Sequence, residues 1–284
     1  MLTFSLIIPV YNEERHIGEC LDAISSQTVM PTEVIIIDNN CTDRTIEIAK
    51  SYKFVKIIHE ARQGRGHARS AGFNAAKGDV IGRIDADSRI NRNWVELVMR
   101  RFEQDPELAG LTGMSYTPCI PYVSRIKAKI FSRAYYWFAH AAFDTVTMWG
   151  ANMALRRSAW EMVKDKVCLD DSIVHEDQDV SLWIAASGGK IMQDNQMIMT
   201  TDEQMYRYFP KLLHYTRLYE STKHMHYRNG NLSDPELRRI GFFRTLPGRI
   251  FAVFPGLYLI AISVLLFPVD YFLLHSRWKP NSIS

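Results

Sequence analysis

The chain has 284 residues, of which 47% are hydrophobic and 23% charged. This composition is that of an ordinary globular protein and excludes disordered, collagen-like and low-complexity chains. The formal net charge of +3 is too small for a polybasic nucleic-acid-binding protein, so we expect no nucleic-acid partner. The four cysteines form no C-x-x-C pair and no disulfide pattern, and the first residues lack the features of a secretory signal; we expect reduced thiols and no such signal.

The first ninety residues alternate apolar runs with amphipathic segments. The apolar runs predict strands over residues 4–10, 33–38, 55–58 and 79–85. The segments between them have helical spacing and capping residues, and strands joined by helices predict a mostly parallel, Rossmann-like α/β sheet flanked by helices. Further along the chain we expect a strand over 108–114 and helices over 93–102, 124–143 and 178–186.

The end of the chain has a different character. Residues 250–269 contain no charged side chain, and arginine and lysine residues flank them on both sides. About 20 apolar residues can cross a bilayer, although Pro255, Gly256 and Pro268 weaken the case for one straight helix. We therefore divide the chain into a main domain over 1–235 and a hydrophobic membrane segment over 236–284, which spans, re-enters or lies in the interface. The flanking positive charge predicts a location at the cytoplasmic face of the cell membrane.

Polar and acidic side chains follow three of the predicted strands. Tyr11-Asn-Glu13 follows the first strand, Asp38 opens a turn after the second, and Asp85-Ala-Asp87 follows the fourth. In an open α/β sheet, ligands bind beyond the carboxyl ends of the strands. Two carboxylates two residues apart can share Mg²⁺ or Mn²⁺, and such an ion neutralises the charge of a leaving diphosphate. The absence of a P-loop, and of G-x-G-x-x-G after the first strand, argues against P-loop NTPases and dinucleotide-dependent dehydrogenases.

Several motifs occur in order from residue 5 to about residue 190. They are Ser5-Leu-Ile-Ile-Pro-Val-Tyr-Asn-Glu-Glu14, Asp38-Asn-Asn-Cys-Thr-Asp43, Gly64-Arg-Gly-His-Ala-Arg-Ser-Ala-Gly72, Asp85-Ala-Asp87, Gly150-Ala-Asn152 and His175-Glu-Asp177. Together they resemble the family 2 glycosyltransferases, which have the GT-A fold of nucleotide-diphospho-sugar transferases. One departure is Ser70, which stands where many relatives have asparagine.

The resemblance implies a role for each matching position. The nucleotide pocket would be lined by Pro9, Tyr11, Glu13, Asp38, Gly66, Arg69 and Asp85. Asp38 would accept a hydrogen bond from the base, typically uracil, and the metal would be held by Asp85 and, chiefly, Asp87. The sugar and acceptor would be bordered by Gly150, Ala151, Asn152 and Arg207, the last from a weak match to the Q-x-x-R-W signature of processive synthases. Asp177, beside Glu176, would be the general base.

These roles imply a metal-dependent, inverting glycosyltransferase of the hexosyltransferase type. We expect a nucleotide-sugar donor, UDP-linked, and a glycan or lipid-linked acceptor whose hydroxyl gives its proton to Asp177, in envelope glycan, polysaccharide or glycolipid synthesis. Asp177 alone would not identify a base, because the helix dipole also favours a carboxylate in a first helical turn. The alternatives are a polyprenyl-phosphate sugar synthase using GDP-mannose or UDP-glucose, a nucleotidyltransferase, and a catalytically silent subunit that binds sugar nucleotides.

Overall fold

The structure, a computed structural model, describes residues 2–116, 145–201 and 209–231. The strands in these ranges are β1 Phe4–Val10, β2 Glu33–Asp38, β3 Val55–His59, β4 Val80–Ile84, β5 Ser88–Ile90, β6 Leu108–Tyr116, β7 Asn152–Arg156 and β8 Lys190–Thr201. The helices are α1 Ile17–Ser25, α2 Thr45–Lys50, α3 Arg65–Ala75, α4 Trp94–Gln104, α5 Arg157–Val163, α6 Glu176–Ala186 and α7 Phe209–Arg228. The predicted strands of the first half are confirmed, with β1 and β2 matching residue for residue.

These strands form one mixed sheet in the order β3-β2-β1-β4-β7-β6-β8-β5. β1 runs parallel to β2 and to β4, and β2 runs parallel to β3, as predicted. The other half departs from the expected mostly parallel pattern, because β7 runs antiparallel to both β4 and β6. β8 is parallel to β6 and antiparallel to β5.

Helices cover both faces of the sheet. Leu6 and Ile8 of β1 pack in a core with α1, α2 and α4. Ile7 and Ile35 point to the opposite face and pack with α3, α5 and α6. Because both faces are buried, β1 and β2 are mainly apolar runs without polar alternation.

Some sequence-based predictions lie outside the described residues: the helix over 124–143, Arg207 and the hydrophobic segment over 236–284. In the part of the chain that the structure describes, no helix has the length and apolar character needed to cross a membrane. The division into domains over 1–235 and 236–284 stays a prediction. Cys20, Cys41 and Cys168 are free thiols.

Candidate active site

The loops after β1 and β2 meet at one edge of the sheet. Val10 and Asp38, the last residues of the two strands, are paired in register. Beyond them, Oδ1 of Asn12 accepts a hydrogen bond from the backbone N–H of Thr42 at 2.8 Å. Asn12 and Asn40 have φ angles of 56° and 67°, a left-handed conformation that asparagine adopts more readily than most residues. The turn after β1 and the turn after β2 therefore hold each other in place at this edge of the sheet.

Asp38 lies at this edge with both carboxylate oxygens near a partner. Oδ1 accepts the backbone N–H of Cys41 at 2.9 Å, and Oδ2 lies 3.3 Å from Nδ1 of His59 on β3. Pro9 lies in β1 next to the strand end, and Tyr11, just past it, is 53% exposed. The predicted nucleotide-binding residues of β1 and β2 are thus brought to one strand edge, and their contact with a nucleotide stays a prediction.

Arg83 of β4 lies at the centre of a buried ion-pair cluster. Its Nη1 donates to Oδ1 of Asp177, and its Nη2 lies 3.2 Å from Oδ1 of Asp85 and 3.3 Å from Oε1 of Glu176. We call these four residues the Arg83 cluster. It joins the first carboxylate after β4 to the two carboxylates that begin α6. The sequence analysis missed Arg83, although an arginine inside a run expected to be buried requires acidic partners.

Burial and mutual contacts shift the pKa values of three members of the Arg83 cluster. The side chain of Asp85 is 45% exposed, but the surrounding protein desolvates its carboxylate. This desolvation and the negative charges of Asp87, Asp177 and Glu176 raise the pKa of Asp85 to about 6, although the positive charge of Arg83 acts to lower it. Desolvation is the largest single influence on Glu176 and opposes its charge, but Arg83 together with the neighbouring side chains of His175, Arg65 and Arg69 outweighs it, so the pKa of Glu176 is lowered. The pKa of Arg83 is raised, because its carboxylate partners outweigh its own desolvation. Arg83 and Glu176 are therefore charged at neutral pH.

Asp177 is also held by the loop that precedes β7. Its Oδ2 accepts the backbone N–H of Gly150 at 2.8 Å. Its carbonyl oxygen accepts the hydroxyl of Ser181 at 2.6 Å, and this hydroxyl accepts the N–H of Met148 at 2.8 Å. Glu176 and Asp177 are the first two residues of α6, where the helix dipole favours negative charge. The carboxylate of Asp177 is therefore fixed in place by both β4 and this loop.

Position 150 has no room for a side chain. A Cβ there would collide with the carboxylate of Asp177 and the guanidinium of Arg83. We expect Gly150→Ala to lower the free energy of unfolding by about 1–3 kcal/mol, the usual cost of overpacking.

Gly18 in α1 provides the matched control for this prediction. A Cβ at Gly18 would lie 3.9 Å from Cγ2 of Ile48, an ordinary contact. Gly18→Ala should therefore stabilise the protein by about 0.5–1 kcal/mol, since alanine suits a helix better than glycine. Chemical denaturation of both variants measures the difference, and equal stability of Gly150→Ala and the wild type would contradict the packing described.

Two residues predicted to lie near the nucleotide pack against the start of α6 and the segment that leads into it. Arg69 is fully buried, and its Nη1 donates to the backbone carbonyl of Glu176 at 2.6 Å. Desolvation lowers the pKa of Arg69. Gly66 lies so close to the backbone carbonyl of Leu169 that a side chain would collide with it. Both residues support the segment that carries the carboxylates, and a contact with nucleotide stays a prediction.

Asn152, predicted to border the sugar, is fully buried in the sheet. Its Nδ2 donates to the carbonyl oxygens of Met114 and Met197, both at 2.9 Å, and its Oδ1 accepts Nε1–H of Trp94 at 2.8 Å. The amide therefore braces β6, β7 and β8 against α4. Ala151 is also buried. Gly150 is the described residue of this predicted group whose hydrogen bond reaches the Arg83 cluster, at Asp177.

The carboxylates after β4 offer ligands that suit a divalent cation. Oδ2 of Asp87 accepts the hydroxyl of Thr201 at 2.9 Å, which orients this carboxylate, while Asp85 is held by Arg83. Both groups supply the hard oxygen atoms that Mg²⁺ and Mn²⁺ prefer. The residues present therefore fit a metal at this position.

A second group of possible ligands begins α6. Ligand atoms of His175, Glu176 and Asp177 lie within 4.8 Å of one another. Arg83 binds one oxygen of each carboxylate, and its positive charge opposes a cation here more strongly than at Asp85 and Asp87, where its described contact is with Asp85. The other oxygen of Glu176, Oε2, is buried, and no group among the described residues donates a hydrogen bond to it.

Known proteins resemble this chain in sequence and in fold. The uncharacterized glycosyltransferase EpsJ of Bacillus subtilis (strain 168) is 34% identical over 105 residues, which are 36% of this chain and 30% of that protein. The mannosyltransferase PcManGT of Pyrobaculum calidifontis, solved in complex with GDP-Man and Mn²⁺, has a similar structure with a TM-score of 0.59. The two share 18% identity, and the match covers 93% of this chain and 86% of that one.

A further structure extends the likeness in fold. Glucosyl-3-phosphoglycerate synthase of Mycobacterium tuberculosis, solved with Mn²⁺ and UDP, has a TM-score of 0.56 at 18% identity, over 82% of this chain and 81% of that one. The family model described as Glycosyl transferase family 2 matches residues 5–161, more than half of the chain. With its ordered motifs and its GT-A-like mixed sheet, the chain belongs to glycosyl transferase family 2.

Proposed function

We propose that the protein is an inverting glycosyltransferase that moves a sugar from a nucleotide-diphosphate sugar to an acceptor hydroxyl in glycan or polysaccharide synthesis. The observation that carries this proposal is the Arg83 cluster at the carboxyl end of β4. In this cluster Arg83 contacts both Asp85, whose carboxylate suits the metal of a diphosphate, and Asp177, whose carboxylate suits proton transfer. Family membership supports the same reaction class.

The proposed reaction is a single displacement. The acceptor oxygen forms a bond to the anomeric carbon while the bond from that carbon to the diphosphate oxygen breaks, and the electron pair leaves with the nucleoside diphosphate. Asp177 takes the proton of the acceptor hydroxyl during the attack. Because attack and departure occur on opposite faces of the carbon, the anomeric configuration inverts.

Asp85 and Asp87 would hold a divalent ion, which would neutralise charge on the leaving diphosphate. The similar solved structures hold Mn²⁺ with either GDP-Man or UDP. These two nucleotides differ in their base, so both classes are candidates for the donor. We favour UDP, because the family resemblance implies that Asp38 accepts a hydrogen bond from the base, typically uracil.

The donor is tested by calorimetric titration of the protein with UDP- and GDP-sugars, with Mn²⁺ or with EDTA. We expect one nucleotide class to bind only when metal is present. Asp87→Asn should abolish this metal-dependent binding, whereas Glu161→Gln, an exposed change on α5, should leave it intact. Circular dichroism confirms that each variant is folded.

The outcomes of the titration separate the alternatives. Binding without turnover of any acceptor would point to a catalytically silent subunit. If folded wild-type protein binds no nucleotide sugar, the glycosyltransferase proposal is wrong. Metal-dependent binding that survives in Asp87→Asn would place the metal elsewhere, with the ligands at the start of α6 as the second candidate.

We further propose a glycan or lipid-linked acceptor and a location at the cytoplasmic face of the cell membrane. This proposal rests on the uncharged sequence 250–269 and its basic flanks. Transfer to short-chain polyprenyl acceptors, compared with transfer to soluble glycans, measures the acceptor class.

A further inference from the structure

One face of α7 packs on the start of α6, where the proposed catalytic carboxylates lie. Leu218, Thr222 and His226 recur every four residues, so they share this face, and all three are buried. Both helices lie outside residues 5–161, which the family model matches. The family model therefore does not describe this packing, which is observed in the structure of the present chain.

Thr222 contacts the residue that caps α6. Its hydroxyl donates to the carbonyl oxygen of Leu218 at 2.7 Å and accepts the backbone N–H of His175 at 2.8 Å. His175 directly precedes Glu176 and Asp177. The N–H groups at the start of a helix have no partner within the helix, so a partner from another element fixes where the helix begins.

His226 contacts α6 two residues after Asp177. Nε2 of His226 lies 2.8 Å from Oδ1 of Asp179, and both side chains have no exposed surface. Nδ2 of Asn231 lies 2.8 Å from Nδ1 of His226, which assigns Nε2–H as the donor to Asp179. Oδ2 of Asp179 accepts the backbone N–H of Cys168 at 2.7 Å. The carboxylate of Asp179 is therefore held between α7 and the segment that leads into α6.

We infer that Thr222 and His226 are positioning residues for the proposed general base. They fix the first turn of α6 at His175 and at Asp179, one on each side of Glu176 and Asp177. A shift of about 1 Å in a catalytic group can cost about a hundredfold in rate. The control therefore comes from α7, whose described hydrogen bonds reach α6 at His175 and at Asp179. The inference rests on the proposed function.

The test compares variants that remove one hydrogen bond with variants that restore it. His226→Leu removes the donor to Asp179, and His226→Gln keeps an N–H at a similar reach. We expect His226→Leu to lower kcat at least about tenfold while the donor Kd changes less than about twofold, and His226→Gln to recover most of the loss. His224→Leu is the matched control, because His224 is exposed on the same helix.

A second pair of variants keeps the test valid if His226→Leu fails to fold. Thr222→Val removes the hydroxyl at nearly constant shape, and Thr222→Ser restores it. We expect the same pattern of lowered kcat, unchanged donor Kd and recovery. Wild-type kcat in both His226→Leu and Thr222→Val, or equal loss of donor binding and kcat, would overturn the inference. Failure of the proposed function is distinct, since wild-type protein itself would then bind no nucleotide sugar.

Discussion

Arg83→Met is expected to lower the free energy of unfolding by about 3–5 kcal/mol and to abolish sugar transfer, because it leaves buried carboxylates without their counter-charge. Glu176 and Asp177 are both buried and adjacent, and Arg83 bonds to each of them. Methionine fills a similar volume but supplies neither a positive charge nor a donor. The two carboxylates would then repel each other. Either the first turn of α6 would shift, or one of the two carboxylates would take up a proton.

Three comparisons test whether this loss comes from the buried charge. Arg83→Lys keeps the charge but not the planar fork that reaches several oxygens, so its stability should lie between those of wild type and Arg83→Met. Combining Arg83→Met with Glu176→Gln should cost less than the sum of the two single changes, since one unpaired charge disappears. Arg44→Met, at an exposed pair with Glu47, should be close to wild type. Denaturant unfolding measures all five variants, including Glu176→Gln alone, and a stable Arg83→Met would show that the cluster does not support the fold.

The first half of the fold follows from local patterns in the sequence. β1 and β2 coincide with their predicted ranges because strands buried on both faces are continuous apolar runs bounded by polar turns. The edge that carries Asp38 and Asp85 also follows, since parallel neighbouring strands end on the same side. The sequence predicts a helix over 178–186, and the structure confirms it with α6 beginning at Glu176, so that Asp177 lies in its first turn.

The second half depends on contacts between distant segments, which local patterns do not contain. β8 has many polar residues and pairs with both β5 and β6, so its strand character comes from its partners. β7 enters the sheet antiparallel between β4 and β6, a choice that no run of residues indicates.

Long-range contacts also decide what several site residues do. Asn152 carries the type of side chain that binds sugars, yet the structure uses all of its N–H donors inside the core. Arg83 is the opposite case, because the apolar residues around it in β4 concealed its place in the site. A charged residue in a buried strand is a signal that sequence analysis can use, but its three acidic partners could be named only from the fold.

Asp177→Asn is expected to lower kcat by about 10²–10⁴, the usual contribution of general base catalysis, and to leave donor affinity near that of wild type. Asparagine has the same shape, and its amide oxygen can still accept one of the hydrogen bonds now made by Gly150 and Arg83. It cannot take a proton from the acceptor. Donor binding by calorimetry and turnover by nucleotide release measure the two quantities separately.

Glu176→Gln is the matched comparison for Asp177→Asn, because each change removes one of the negative charges that pair with the guanidinium of Arg83. If electrostatic support of Arg83 were the whole role of Asp177, the two variants would lose similar stability and similar activity. A much larger loss of kcat in Asp177→Asn identifies the proton acceptor. Retained turnover in Asp177→Asn would contradict that role and favour an acceptor that is already an anion, such as a polyprenyl phosphate, which attacks the anomeric carbon without giving up a proton.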